Sequence, residues 1–297
     1  MSLIHYSQCP SCSSESIKFA LKAIDHTVSR EGFEIWECQN CGLRFTQDVP
    51  DAGSIGVYYR SDNYISHSNT NKGLINQLYH IVREQTLSNK YRLISSATRS
   101  RQGKMLDIGA GTGAFVAHMK EKGWEATGLE PDEVAREKAR TDNRVQLLEM
   151  DHLYSLPQES FDVITLWHVL EHVHDLHSYL ERLKTLIKRD GRIFIAVPNY
   201  TSHDAAVYKE AWAAYDVPRH LYHFSPDSME RLVSGHGLQL QYSQPMWFDS
   251  FYISMLSEKY RTGHGNLVRA VWNGMVSNIK AFIDKSKCSS LIYVISK

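Results

Sequence analysis

Residues 106–113 read "LDIGAGTG". An apolar run that meets glycines at 109, 111 and 113 marks a strand ending in a tight turn. Glycines at alternate positions let the backbone turn sharply and approach a ligand without side-chain collision. The following "GAFVAHMKEKG" (113–123) is a helix stopped by Gly123, and its first turn offers free N–H groups. Outward from this turn, strand and helix alternate. "EATGLE" (125–130) is a strand closed by Glu130, and "PDEVAREKAR" (131–140) is a helix with Pro131 at its first position and acids in its first turn. "RVQLLEM" (144–150) is a strand, and "FDVITLWH" (161–168) is a strand apolar enough to be buried on both faces. "DLHSYLERLKTLIKRDG" (175–191) is an amphipathic helix and "RIFIAVP" (192–198) another buried strand. A capped helix at 225–237, a half-exposed strand at 238–244 and a last strand, "SSLIYVIS" (289–296), follow. Residues 250–287 read as a helical insertion. The pattern predicts an α/β fold: a parallel sheet with helices on both faces and a ligand beyond the carboxyl ends of its strands.

The 297 residues are 42% hydrophobic and 22% charged, as in an ordinary globular protein, with zero formal net charge. That balance argues against a dedicated nucleic-acid binder. No apolar run approaches a membrane span, and the first residues lack a secretory pattern, so neither a membrane nor a nucleic-acid partner is expected and the setting is taken as cytoplasmic. Cys9-x-x-Cys12 and Cys38-x-x-Cys41 form two knuckles, each placing two thiolates on one side of a metal. Together they predict a structural zinc site in a small ribbon over residues 1–50. "FEIWEC" and "LRFT" are its strands. Residues 51–102 read as a linker, carrying Tyr58, Tyr59 and Tyr64, followed by helix, and residues 103–297 as the main domain.

Two cofactors suit the glycine turn. A nicotinamide dinucleotide asks for G-x-G-x-x-G/A, which Gly109, Gly111 and Ala114 satisfy. S-adenosylmethionine suits D-x-G-x-G-x-G, and Asp107 favours it, because a carboxylate there opposes a pyrophosphate but attracts an ammonium and a sulfonium. Asp151 and His152 follow the third strand, where they face an adenine. With "LDIGAGTG", "GLEP", "LPQESFDVITLWHVLEHV" and "LIKRDGRIFIAVPN" in order, residues 103–245 and the closing strand resemble the class I S-adenosylmethionine-dependent methyltransferases. The resemblance implies a Rossmann-like seven-stranded sheet with the last strand antiparallel. It also implies a cofactor held by Asp107, Gly109, Gly111, Gly113, Glu130, Asp151, His152 and Trp167. The ribbon is similar to those on bacterial small-molecule methyltransferases.

"LWHVLEHVHD" (166–175) contains H-x-x-E-H, the string of some zinc peptidases. A peptidase needs it inside a regular helix, whereas His168 ends a buried strand. In the family this spot faces the transferred methyl. Glu171 and His172 then serve as local caps, or a histidine serves as the proton acceptor for a hydroxyl, or the group binds a divalent metal. Quinone-pathway O-methyltransferases carry E-x-x-E-H here. This chain has His168 in place of the first Glu, and supplies His220 and His223 later, in "WAAYDVPRHLYHF" (212–224). A second divalent metal would lie near Glu171, His172, His220 and His223. That loop's Asp216 and Arg219 form an internal pair or clamp a substrate anion. The expected function is O-methylation of a small-molecule acceptor, with His168, His172 and His220 on the reacting side. An RNA methyltransferase that reads through the ribbon, an NAD-dependent dehydrogenase and a non-catalytic binding module are the alternatives.

Overall fold

The computed structural model describes residues 2–59, 74–100 and 102–297. The amino-terminal part holds β1 (Leu3–Ile4), β2 (Ile17–Ile24), β3 (Gly32–Cys38), β4 (Arg44–Thr46) and β5 (Val49–Pro50). One helix, α1 (Leu74–Thr98), leads into the alternating region. That region runs β6 (Lys104–Ile108), α2 (Ala114–Glu121), β7 (Glu125–Leu129), α3 (Glu133–Asp142), β8 (Phe161–Trp167), α4 (Leu176–Leu186) and β9 (Ile187–Pro198). After it come α5 (His203–Tyr208), β10 (Tyr222–His223), α6 (Pro226–Gly235), β11 (Gln239–Pro245), α7 (Asp249–Thr262), α8 (Leu267–Ile283) and β12 (Ser290–Ser296).

The main sheet has the order β11-β12-β9-β8-β6-β7. Strands β7, β6, β8 and β9 are parallel, and β12 is antiparallel to both β9 and β11. The predicted strand at 144–150 contracts to one parallel bridge, Leu129 to Leu148, so the seventh position beside β7 is a single rung. Val145 and Leu147 are buried as their alternation predicts, but the chain then turns off into a 3-10 segment at Met150–Tyr154. Along β9, Ile193, Ile195 and Val197 join one core while Phe194 and Ala196 join the core on the opposite face, the period of two that a doubly covered sheet requires.

Local chemistry sets the helix starts. Asp132 accepts the Ala135 N–H at 2.7 Å to open α3, and Asp175 accepts the Ser178 N–H at 3.0 Å to open α4. Ser225 and Ser228 form a reciprocal cap at α6, with Pro226 in its first turn.

A second sheet has the order β10-β4-β3-β2: β3 and β4 are the strands expected at "FEIWEC" and "LRFT", and β2 and β10 extend it beyond what the sequence announced. Its inner strand β4, just past Cys41, pairs with β10, which comes from the far loop, setting Tyr222 against Phe45 and His223 against Arg44. The amino-terminal sheet is therefore stitched to the segment that follows α5. No helix among the described residues is long and apolar enough to cross a membrane.

Candidate active site

The turn between β6 and α2 places Gly109, Gly111 and Gly113 at φ of 70°, 54° and 72°, all left-handed. They are glycines for different reasons. A Cβ on Gly109 would collide with the Val169 side chain, and one on Gly113 would lie 2.5 Å from Val145 Cγ2. A Cβ on Gly111 would meet nothing within 4 Å, so this is where the backbone borders open space. Glu130, at the end of β7, accepts the Gly111 N–H at 2.7 Å and the Asp132 N–H at 3.0 Å, which fixes its carboxylate beside the turn. Burial raises its pKa. Asp107 is buried in β6 and accepts from Thr165 Oγ1 at 2.5 Å. Burial pushes its carboxyl up to about 6, against the pull of the Thr165 hydroxyl and of Lys90. Asp151 and His152 are exposed on the 3-10 segment after the Leu148 bridge.

Trp167, the last residue of β8, packs edge-on against Phe115, and its indole N–H is buried without a hydrogen-bond partner. The Lys90 ammonium, from α1, lies 3.9 Å above the Trp167 ring. Burial lowers Lys90 to about 8 while Asp107 and Asp249 hold it up. Sequence reasoning missed Lys90, because a basic stretch on a helix reads as a solvated face. An orphaned indole N–H, a cation, a buried carboxylate and an open glycine turn make a polar cradle at the carboxyl ends of β6 and β8. These groups fit the ribose, ammonium and carboxylate of an aminoacyl nucleoside.

On the reacting side, His168 ends β8 in the left-handed region, φ 58°. Strained residues of this kind cluster at functional sites. Its Nδ1 lies 3.2 Å from Glu171 Oε1 and its Nε2 3.0 Å from Asp249 Oδ2. Burial alone would lower its pKa, but the two carboxylates hold it up at about 10. A doubly paired imidazolium has no lone pair for an incoming proton, which argues against the base role expected of His168.

Glu171 and His172 lie on one 3-10 turn, Leu170–His172, and His220 stands against them from the far loop. The His172 Nδ1 meets the Arg219 carbonyl at 2.9 Å, and the His220 Nδ1 meets the Ala214 carbonyl at 2.9 Å. A carbonyl only accepts, so both Nδ1 atoms carry protons, and in the neutral ring it is Nε2 that keeps the lone pair. Burial, and then the nearby His220, lowers His172 to about 4. Glu171 is fully buried, held ionised by His168, and its Oε2 has no partner. Ligand atoms of Glu171, His172 and His220 lie within 4.8 Å of one another. One carboxylate and two imidazoles, each fixed through a second hydrogen bond, form a donor set for a divalent cation. His223 does not join them: its Nε2 donates to Thr46 Oγ1 at 3.1 Å, because that hydroxyl gives its own proton to the His220 carbonyl at 2.7 Å.

Arg219 is no substrate clamp. Its side chain is fully buried, paired with Asp216 at 2.6 Å and with Asp25 of the β2–β3 hairpin at 3.0 Å. Asn199, just past β9, donates to the Ser286 and Cys288 carbonyls. Tyr59 reaches His172 Nδ1 at 3.1 Å, Tyr58 donates to Glu31, and Tyr64 lies outside the described residues.

Cys9, Cys12, Cys38 and Cys41 converge, with Sγ–Sγ distances of 3.6 Å for the pairs 9–41 and 12–38. Four thiolates bound to zinc at about 2.3 Å stand roughly 3.8 Å apart, so the arrangement fits that ion. The Ser11 and Cys41 N–H groups point at Cys9 Sγ and Cys38 Sγ, as in a metal knuckle.

Residues 79–243, more than half of the chain, match the model of the methyltransferase domain. The ubiquinone biosynthesis O-methyltransferase of Rhodopseudomonas palustris is 27% identical over 146 residues, which are 46% of this chain and 58% of that one. Its counterpart in Actinobacillus pleuropneumoniae serotype 5b is 37% identical over 109 residues, 33% of this chain and 47% of that one. The chain thus spans about half the length of the curated relatives it matches. A Galdieria sulphuraria structure described as a sarcosine dimethylglycine methyltransferase shares the fold, with a TM-score of 0.51 at 14% identity over 75% of this chain and 88% of that one. By the extent of the family match and the order of its strands, the chain belongs to the methyltransferase-domain family, on the class I S-adenosylmethionine-dependent fold.

Proposed function

We propose that the chain transfers the methyl group of S-adenosylmethionine to an oxygen of a small-molecule acceptor, which it presents on a divalent cation at Glu171, His172 and His220. The observation that carries this reading is the buried Glu171, whose Oε2 has no hydrogen-bond partner, clustered with His172 and His220 so that their ligand atoms lie within 4.8 Å of one another. In this reading Gly111 admits the nucleoside, Glu130 accepts the ribose hydroxyls, and Asp151 and His152 border the adenine. Asp107 faces the cofactor's ammonium, Lys90 pairs with its carboxylate, and Trp167 lines the methionine end. A cation held by Glu171, His172 and His220 would supply Lewis-acid stabilisation for an oxyanion of the acceptor. His168 keeps Glu171 ionised and aimed, with Asp249 closing its other side. The protein's task is then alignment, holding the acceptor oxygen in line with the methyl and the sulfonium. The four cysteines hold a structural zinc. Relatives named for ubiquinone O-methylation agree with an oxygen acceptor.

The test is titration calorimetry with S-adenosylhomocysteine, together with metal counting by mass spectrometry, on the wild type and on Glu171→Gln and His220→Ala. The variants should bind the nucleoside as the wild type does, lose the second divalent ion and keep the zinc. A chain that ignores S-adenosylhomocysteine, or variants that retain full metal content, would overturn the proposal.

A further inference from the structure

Helices α7 and α8 are built inside out. The face that α8 buries carries Ala270, Asn273, Gly274, Ser277 and Ala281. Small and polar groups make its inner contacts: Ser277 Oγ donates to Asp204 at 3.1 Å, and Asn273 Nδ2 donates to Tyr208 Oη at 2.9 Å. A Cβ on Gly274 would lie 2.7 Å from Phe251 Cδ1, so the two helices touch almost backbone to side chain. The polar interior extends into α7, where buried Glu258 is paired with Arg261 and Arg269.

The outer face is apolar. Val268, Phe282 and Ile283 are 82%, 85% and 84% exposed, and Trp272 and Ile279 project between them. An ordinary surface helix turns its apolar stripe inward. Here the stripe runs the full 17 residues of α8 on the solvent side. Contiguous apolar exposure on this scale marks a contact surface. Most of the large apolar side chains exposed among the described residues fall between Trp247 and Ile283.

We infer that the outer face of the α7–α8 hairpin docks on an anionic phospholipid surface. The charges choose the occupant. Residues 247–287 hold six Lys and Arg against three acids, in a chain whose overall charge is zero. Of those acids, Glu258 is buried under Arg261 and Arg269 and Asp249 is paired with His168; Asp284 is exposed, but against the exposed Lys259, Lys280 and Lys285, so the outward balance is basic. Lys259, Lys280 and Lys285 are exposed on the two helices and just past the end of α8. Apolar side chains that project from a helix with a basic surround are the interfacial pattern, laid in the plane of the headgroups. A second copy of the chain fits less well, since a twofold contact would set basic surround against basic surround. The hairpin begins at Asp249, the partner of His168, so the docked face is joined directly to the end of β8.

The test is flotation of the whole protein with vesicles of phosphatidylcholine plus phosphatidylglycerol, and with vesicles of phosphatidylcholine alone. The protein should float with the mixed vesicles at low salt and be released as salt rises. Phe282→Ser with Ile283→Ser should weaken that binding about tenfold or more with an unchanged melting temperature, because both side chains are almost fully exposed. Lys280→Glu with Lys285→Glu should remove the preference for the anionic lipid. No flotation at low salt, or equal flotation of the serine variant, would overturn the inference. So would sedimentation showing a dimer that the serine substitutions dissolve, with no vesicle binding.

Discussion

Asp25 sits in the hairpin between β2 and β3, yet its carboxylate is wired to the reacting side. It accepts the Thr27, Val28 and Ser29 N–H groups, with the Ser29 contact at 2.8 Å, and takes Arg219 Nη2 at 3.0 Å. Both side chains of this ion pair are 0% exposed. Burial by itself would raise the Asp25 pKa, but the Ser29 N–H and the Arg219 guanidinium pull it from 3.8 to about 2. At about 1.4 kcal/mol per pH unit, the carboxylate adds about 2 kcal/mol to stability. Asp25→Asn should therefore cost about 2 kcal/mol. Asp25→Ala, which also strips three N–H groups, should cost about 3–5 kcal/mol, the range for breaking a buried pair. The sign with pH follows from a depressed pKa. The contribution is fully present above pH 3.8 and is lost as pH falls through 2, so the wild type should lose stability in that window while Asp25→Asn should not lose this part. Urea unfolding at neutral and acid pH measures both effects. Because the Arg219 carbonyl fixes His172 Nδ1, affinity for a divalent cation at Glu171, His172 and His220 should fall in the same variants. If Asp25→Ala loses less than about 1 kcal/mol and keeps its cation affinity, the pair is not the tie described here.

Three further outcomes follow from the geometry. Gly109→Ala should cost about 2–4 kcal/mol in thermal unfolding, combining left-handed strain with the Val169 collision, while Gly111→Ala should cost about 1 kcal/mol and show its main effect as lost S-adenosylhomocysteine affinity in calorimetry. Lys90→Met should weaken that affinity about tenfold; since the Lys90 ammonium loses its proton near pH 8, wild-type affinity should drop between pH 7 and 9 more than that of the variant. Removing zinc with a chelator, or Cys41→Ser, should slow methyl transfer as well as loosen the amino-terminal sheet, which limited proteolysis reads directly.

What was legible in the sequence was local. The turn at 106–113 announces itself because three glycines, a preceding strand and a following helix lie within one short window. The cysteine knuckles do so because two tight pairs have little else to form. The strand at 144–150 shows the limit of periodicity: Val145 and Leu147 alternate and are buried, yet ladder bonds form only at Leu148. Protonation was not legible at all. His168 looks like a base until Asp249, 81 residues away, closes its second nitrogen. His223 looked like a ligand until Thr46, 177 residues away, claimed it. Lys90 was hidden because the pattern of α1 does not say which of its charges turns inward.

The cysteine sheet is therefore part of how the site is built. A cation site needs its donors held to within fractions of an ångström, and His220 sits on a segment with little regular structure of its own. Three ties remove its freedom. The Thr46 hydroxyl holds the His220 carbonyl, the Thr46 N–H holds the Leu221 carbonyl at 2.9 Å, and the pairing of β4 with β10 continues through Tyr222 and His223. All three come from β4, a strand of only three residues that starts just past Cys41. So short a strand has few bonds to keep it straight, and the metal proposed for the four cysteines would, across Cys38 and Cys41, anchor its entry at low conformational cost. A zinc bound there would act at a distance on the chemistry, through one strand and one threonine hydroxyl. Thr46→Val, which removes the hydroxyl and keeps the shape, should loosen His220 while leaving the zinc count unchanged.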